Sequence, residues 1–158
     1  KGKFNLPVGK RDFNSKMRNK FNSFVDKIKN SDYSFLCKDF NEIDVNENSF
    51  VYADPPYLIA CATYNEQNAW NESNERSLLA YLDKLDKKGI KFALSNVLES
   101  KGKENKILKE WLELNKDKYL AIHLNSSYSN CNYQTKNKDC TTDEVLIINY
   151  KGVHNDSI

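Results

Sequence analysis

Ser49-Phe50-Val51-Tyr52-Ala53-Asp54-Pro55-Pro56-Tyr57 is a short apolar run that stops at an acid, two prolines and an aromatic. Phe50, Val51 and Tyr52 are strand formers with no charge between them, a pattern that predicts a strand buried on both faces. Pro55 and Pro56 lack amide hydrogens and hold φ fixed, so the ladder must end at Asp54 and the following loop must be stiff. The result is a carboxylate, a free carbonyl and a ring on one rigid loop. In an open parallel sheet ligands gather outside the carboxyl ends of the strands, where this loop would stand.

The rest of the chain supplies the pieces of such a sheet. Asn14 to Lys29 shows a helical period in Met17, Phe21, Phe24, Val25 and Ile28, which predicts a helix that docks its phenylalanines and leaves its lysines free. Ser34 to Cys37 reads as a short strand closed by Lys38, Asp39 and Phe40. A polar, aromatic loop with Tyr64 and Trp70 leads to a helix capped by Ser73 or Asn74, with Leu78, Leu79, Leu82 and Leu85 on one face and Gly89 as its stop. Ile90 to Leu94 is the next strand and delivers Ser95 and Asn96 to its carboxyl end. A helix over 104–114, a strand over 119–124, a polar stretch over 125–142 and the strand Val145 to Ile148 complete the order. Strands alternating with helices predict an α/β domain with a largely parallel sheet, and the last two strands, joined without a clear helix, predict an antiparallel hairpin at its edge.

Bulk properties narrow the class. The 158 residues, 39% hydrophobic and 29% charged, suit one globular domain. No apolar run approaches the roughly 20 residues of a membrane span, and the lysine-rich start lacks the apolar core of a signal peptide, so the chain reads as cytoplasmic. Cys37, Cys61, Cys131 and Cys140 have no C-x-x-C spacing and only His123 and His154 for company, which argues against zinc or a disulfide framework. The net charge of +2 hides an asymmetry: residues 1–30 balance to +7 and the remainder to −5. A basic leading segment on a mildly acidic body suits a phosphate-facing arm, and a solvated lysine-rich helix gives the same count.

Four local patterns, in order, resemble the DNA adenine methylase family. Asp54-Pro55-Pro56-Tyr57 is similar to the signature of methyltransferases that modify an exocyclic amine. Phe4 to Gly9 resembles the segment leading through the target-recognition region, Phe92-Ala93-Leu94-Ser95-Asn96 the strand after the catalytic one, and Thr141 to Leu146 the terminal hairpin strand. The resemblance implies a partial Rossmann-like S-adenosylmethionine-dependent methyltransferase fold. Residues 1–30 then form the end of the recognition region and a linking helix, and residues 31–158 the catalytic α/β portion.

The resemblance also implies a chemistry. Asp54 and the Pro55 carbonyl would each accept a hydrogen of an adenine amino group and aim its lone pair at the methyl group of S-adenosyl-L-methionine, with no metal and no covalent enzyme intermediate. The loop Asp54, Pro55, Pro56 and Tyr57 would be catalytic, with Tyr57 stacking on a base flipped out of duplex DNA. Asp54, with Asp39 and Phe40, would border the cofactor, although Asp39 and Phe40 read equally as a surface turn with one buried ring. Lys3, Asn5, Lys10 and Arg11 are the candidate DNA contacts. Ser95 and Asn96 read as bonded to local backbone, and Tyr64, Trp70, Tyr128 and Tyr133 either line the DNA side or cover loops.

The departure from the family concerns its Phe-x-Gly-x-Gly loop, which closes on the methionine part of the cofactor. This chain has Gly2, Gly9, Gly89, Gly102 and Gly152 and no Gly-x-Gly. It therefore reads as a carboxyl-terminal piece of a longer enzyme, or one half of a split one that needs a missing amino-terminal half. A non-catalytic DNA-binding remnant and a methyltransferase for another amine are the alternatives. Relatives acting on other amines tend to begin the motif with Ser or Asn, so Asp54 favours adenine.

Overall fold

A computed structural model describes residues 13–59, 70–124 and 142–151. The chain divides into two units, Lys1–Lys38 and Asp39–Ile158.

In the first unit, helix α1 spans Ser15–Lys29 and starts where Asn14 accepts a hydrogen bond from the Met17 amide at 3.0 Å. Lys27 and Lys29 in its last turn complement the helix dipole. Within its own unit this helix docks none of its phenylalanines, contrary to expectation. Phe21 and Phe24 are 55% and 60% exposed, and α1 has no buried residue. An amphipathic stripe is buried only when another element offers a complementary face, and among its described residues this unit has one helix and no strand. Ser34 to Cys37 is not a strand either, and Phe35 and Leu36 face solvent. With no ladder partner, an extended run has no reason to be held as a strand.

The second unit contains a 3-10 turn at Phe40–Glu42, strands β1 (Phe50–Ala53), β2 (Lys91–Ser100), β3 (Lys103–Glu104), β4 (Leu120–Leu124) and β5 (Thr142–Ile148), and helices α2 (Glu72–Lys87) and α3 (Lys106–Leu114). The sheet order is β1-β2-β5-β4, with β3 paired to the end of β2. β1 and β2 are parallel, joined through α2, with Phe50 opposite Lys91 and Ala53 opposite Leu94. β5 is antiparallel to both β2 and β4. The sheet is therefore mixed rather than largely parallel. β1, β2 and β4 run in one direction, and β5 inserts between β2 and β4 in the other. The residues linking β4 to β5 lie outside those described.

Each helix is set by its ends. Asn71, rather than Ser73 or Asn74, caps α2: its side chain accepts from the Ser73 and Asn74 amides, and Asn74 accepts from the Asn71 amide in return. The helix stops at Gly89, whose φ of +73° lets the Gly89 amide reach Asp86 O at 2.8 Å and the Ile90 amide reach Leu85 O at 3.0 Å. α3 begins after Asn105, which accepts from the Leu108 amide.

α2 and α3 contribute Leu78, Leu79, Leu82, Leu85, Ile107, Leu108 and Trp111 to a core completed by Phe92, Leu94, Val145 and Ile147 of the sheet. Burial at roughly 25 cal/mol per Å² of apolar surface makes this helix-to-sheet layer the main stabilising contact. The strand buried along nearly its whole length is β2, not β1. In β1 Val51 and Ala53 pack on the core, whereas Phe50 and Tyr52 are 54% and 60% exposed. The apolar run therefore alternates, because among the described residues of this unit the core packs on the Val51 and Ala53 face of β1.

Candidate active site

The ends of β1 and β2 bring the site together. The β1 ladder closes at Ala53 opposite Leu94, while β2 continues to Ser100. The expectation of a strand over Ile90 to Leu94 that delivers Ser95 and Asn96 to its carboxyl end is thus corrected: both lie within the strand, held in register against β5 with Ser95 opposite Leu146 and Asn96 opposite Val145. Val97 stands opposite Glu144. The loop that leaves β1 passes beside this overhanging part of β2.

Within the loop, Asp54 and Pro56 are exposed, and Pro55 and Tyr57 are half-buried. Tyr57 Oη lies 3.0 Å from Ser95 Oγ and donates to Asp54 Oδ1 at 3.3 Å. Burial pushes the Tyr57 phenol above its usual range; the Ser95 hydrogen bond opposes this, and the negative charges of Asp54 and Glu144 reinforce it. The phenol therefore keeps its proton at neutral pH and remains a donor. Among the described residues no cation pairs with Asp54. The arrangement presents an exposed carboxylate beside a ring whose edge is tied to the sheet. Such a pair can accept hydrogens from an amine and stack on a flat heterocycle.

The other predicted residues are placed as follows. Asp39 is exposed and caps the 3-10 turn, its Oδ1 accepting from the Asn41 amide and side chain, each at 2.9 Å. Phe40 is half-buried, with its ring 5.5 Å from that of Tyr81 and 6.4 Å from that of Trp70. Lys3, Asn5, Lys10, Arg11, Tyr64, Tyr128, Tyr133 and Thr141 lie outside the described residues. A cavity of about 520 Å³ in the same unit is lined by Asn41, Tyr81, Lys84 and Lys88, among others, and by no residue of the 54–57 loop.

One group supporting the site escapes a sequence reading. Glu75 is fully buried and accepts from Trp70 Nε1 at 2.7 Å, Asn96 Nδ2 at 3.0 Å and Asn105 Nδ2 at 2.8 Å. These bonds tie the residue before α2, the overhanging part of β2 and the start of α3 to one carboxyl group. Asn96 also accepts from the Val97 amide at 2.7 Å, so it bonds local backbone as expected and a buried acid besides. Ser95 does not follow that expectation, since its hydroxyl meets Tyr57. In the sequence Glu75 looks like an ordinary first-turn helix acid. The signal that could have marked it is the company of Trp70, Asn96 and Asn105, which only the tertiary fold assembles.

The cofactor implied by the resemblance can be tested against these residues. Asp39 and Asp54 are exposed carboxylates, suited to ribose hydroxyls or an amine, and Phe40 offers a ring held by aromatic neighbours. That donor set fits the adenosine part. The positively charged methionine part needs close backbone approach, for which this chain has no Gly-x-Gly.

Comparison with known proteins bears on the whole chain. Residues 1–137 match the family described as D12 class N6 adenine-specific DNA methyltransferase. The chain is 40% identical over 158 residues to the modification methylase StsI of Streptococcus sanguinis, covering 94% of this chain and 23% of that protein. It is 38% identical over 156 residues to the type II methyltransferase M.FokI of Planomicrobium okeanokoites, covering 93% and 23%. With the modification methylase LlaI of Lactococcus lactis subsp. lactis the identity is 40% over 118 residues, covering 70% of this chain and 19% of that protein. The chain thus spans about a quarter of the length of the curated relatives it matches.

Proposed function

Because the chain belongs to the D12 class of N6 adenine-specific DNA methyltransferases, we propose that it is the catalytic portion of an enzyme that methylates the exocyclic amine of adenine in duplex DNA. The observation that carries the reading is the exposed Asp54 carboxylate at the carboxyl end of β1, bonded to Tyr57 and facing no described cation. The fold around it is then the carboxyl-terminal part of a Rossmann-like sheet, ending in the β4–β5 hairpin. The basic residues before α1 belong to the recognition region, with Lys3, Asn5, Lys10 and Arg11 on the DNA.

The target nitrogen is a weak nucleophile, because its lone pair is delocalised into the ring. Asp54 accepts one amine hydrogen and the Pro55 carbonyl the other, which turns the lone pair out of the ring plane. The two prolines fix that carbonyl relative to Asp54, so alignment is built in before the base arrives. Tyr57 stacks on the extruded base, a contact worth about 1–3 kcal/mol that offsets the cost of leaving the duplex stack. After transfer the nitrogen carries a positive charge and sheds one proton, which the Asp54 carboxylate is placed to take. S-adenosylmethionine, when bound, supplies the electrophilic methyl group, with Asp39 and Phe40 holding its adenosine part.

The test is the identity of the product. The intact protein, given duplex DNA and labelled S-adenosylmethionine, is expected to place label in N6-methyladenine. Label in a cytosine, or in no nucleoside at all, would refute the reading.

A further inference from the structure

We propose that Ser95 is a positioning residue for this reaction: through its hydroxyl it fixes Tyr57, and through Tyr57 it fixes the Asp54 carboxylate, so that ring and acid meet the base as one unit. The inference rests on the reading of the 54–57 loop given above.

The direction of the hydrogen bonds follows from donor counting. A carboxylate only accepts, so the Tyr57 proton is the one lying toward Asp54 Oδ1, at 3.3 Å. The Tyr57 oxygen is then free to accept, and the Ser95 hydroxyl, 3.0 Å away, is its donor. The chain Ser95 to Tyr57 to Asp54 uses one oxygen of the carboxylate and leaves Oδ2 for an incoming amine hydrogen.

The strand that carries Ser95 makes it a fixed reference. β2 is paired on one side with β1 and, through Ser95 itself, on the other with β5. Among the described residues the 54–57 loop is in no strand, its ladder having ended at Ala53. Pro55 and Pro56 have no amide hydrogen with which to bond the sheet, so its attachment falls to side chains. A site whose reacting groups must be held to within about 0.5 Å needs a partner on a rigid element. Ser95 is that partner, and Asp54 and Tyr57 alone, both on the loop, could shift together.

A second reason is steric selectivity. Tyr57 is half-buried, so part of the residue remains accessible. With the hydroxyl tethered at its far end, rotation about the Cα–Cβ bond is restricted and the ring stays in one place. The base then stacks without first ordering the ring, which lowers the entropy lost in the flipped complex.

The experiment compares Ser95→Ala, Ser95→Thr, Tyr57→Phe and the Ser95→Ala/Tyr57→Phe double variant in the intact protein. Ser95→Ala should lower kcat for adenine methylation by about 3- to 10-fold, as loss of one neutral hydrogen bond does. Ser95→Thr keeps the hydroxyl and should restore most of the rate. In the Tyr57→Phe background Ser95→Ala should cost nothing further, because Ser95 acts only through the phenol. Full additivity of the two losses, or a Ser95→Thr as slow as Ser95→Ala, would overturn the proposal. An arm independent of activity uses the 158-residue chain with ¹³C-labelled tyrosine, the Tyr57 signal being assigned by its loss in Tyr57→Phe. Removing the Ser95 donor should raise the Tyr57 titration midpoint. An unmoved midpoint overturns the Ser95 inference alone, whereas a wild-type protein that forms no N6-methyladenine overturns the reading of the loop on which it rests.

Discussion

Glu75 and Asn105 meet at 2.8 Å in a place where neither has any solvent exposure. A buried polar group must find its partners inside the protein, and Glu75 finds its donors in Asn105, Asn96 and Trp70. Replacing Glu75 by Ala takes this acceptor from the Asn96 and Asn105 side-chain amides, at roughly 1–3 kcal/mol each. Glu75→Ala is therefore expected to destabilise the chain by about 3 kcal/mol or more, read from the urea midpoint. Glu75→Gln keeps one acceptor and should cost less. An Ala variant within about 0.5 kcal/mol of wild type would show that the network contributes nothing net.

Tyr119 makes stability depend on pH at the alkaline end. Its hydroxyl donates to Asp83 at 2.8 Å, and its ring packs 4.7 Å from that of Trp111 and 5.4 Å from that of Phe92. Burial first, and the Asp83 carboxylate second, hold this phenol far above its usual range. The unfolded chain ionises the tyrosine near pH 10, and the folded chain does not. A raised folded value gives stability that is complete below the unfolded value and is lost as pH climbs above it. Urea midpoints should fall as pH climbs above about 10, and Tyr119→Phe should flatten that fall. An equally steep fall in the Phe variant would assign the alkaline loss to other groups.

How much of this was legible in the sequence differs from element to element. The α2 stripe of Leu78, Leu79, Leu82 and Leu85, the Gly89 stop and the α3 face with Ile107, Leu108 and Trp111 are all where periodicity put them, because these signals are local. The 54–57 loop was legible for the same reason, since prolines act on their own backbone. The burial of β1 was misread because an uncharged run of four residues looks alike whether one face or both are covered. The parallel sheet was misread because strand order is a property of pairing, and no local signal places β5 between β2 and β4. Ser95 and Glu75 were missed because their partners are distant in sequence, at Tyr57 for the first and at Asn105 for the second.

The basic leading segment gives a prediction that depends on salt rather than on structure. Lys10 and Arg11, if on phosphates, each release about one counterion on binding duplex DNA. Changing both to Ala should weaken binding at low salt and reduce the slope of log affinity against log salt by about 2. A weaker complex with the same slope would place them elsewhere than on the backbone.

Asp54 carries the central claim, and its removal tests it most directly. Single-turnover methylation of adenine is to be measured for wild type and for Asp54→Ala in the intact protein, alongside DNA affinity for each. Loss of a group aimed at the reacting nitrogen is expected to slow the step by about 10²–10³-fold or more, with DNA affinity within about threefold. An Asp54→Ala protein that methylates adenine at close to the wild-type rate would contradict the account.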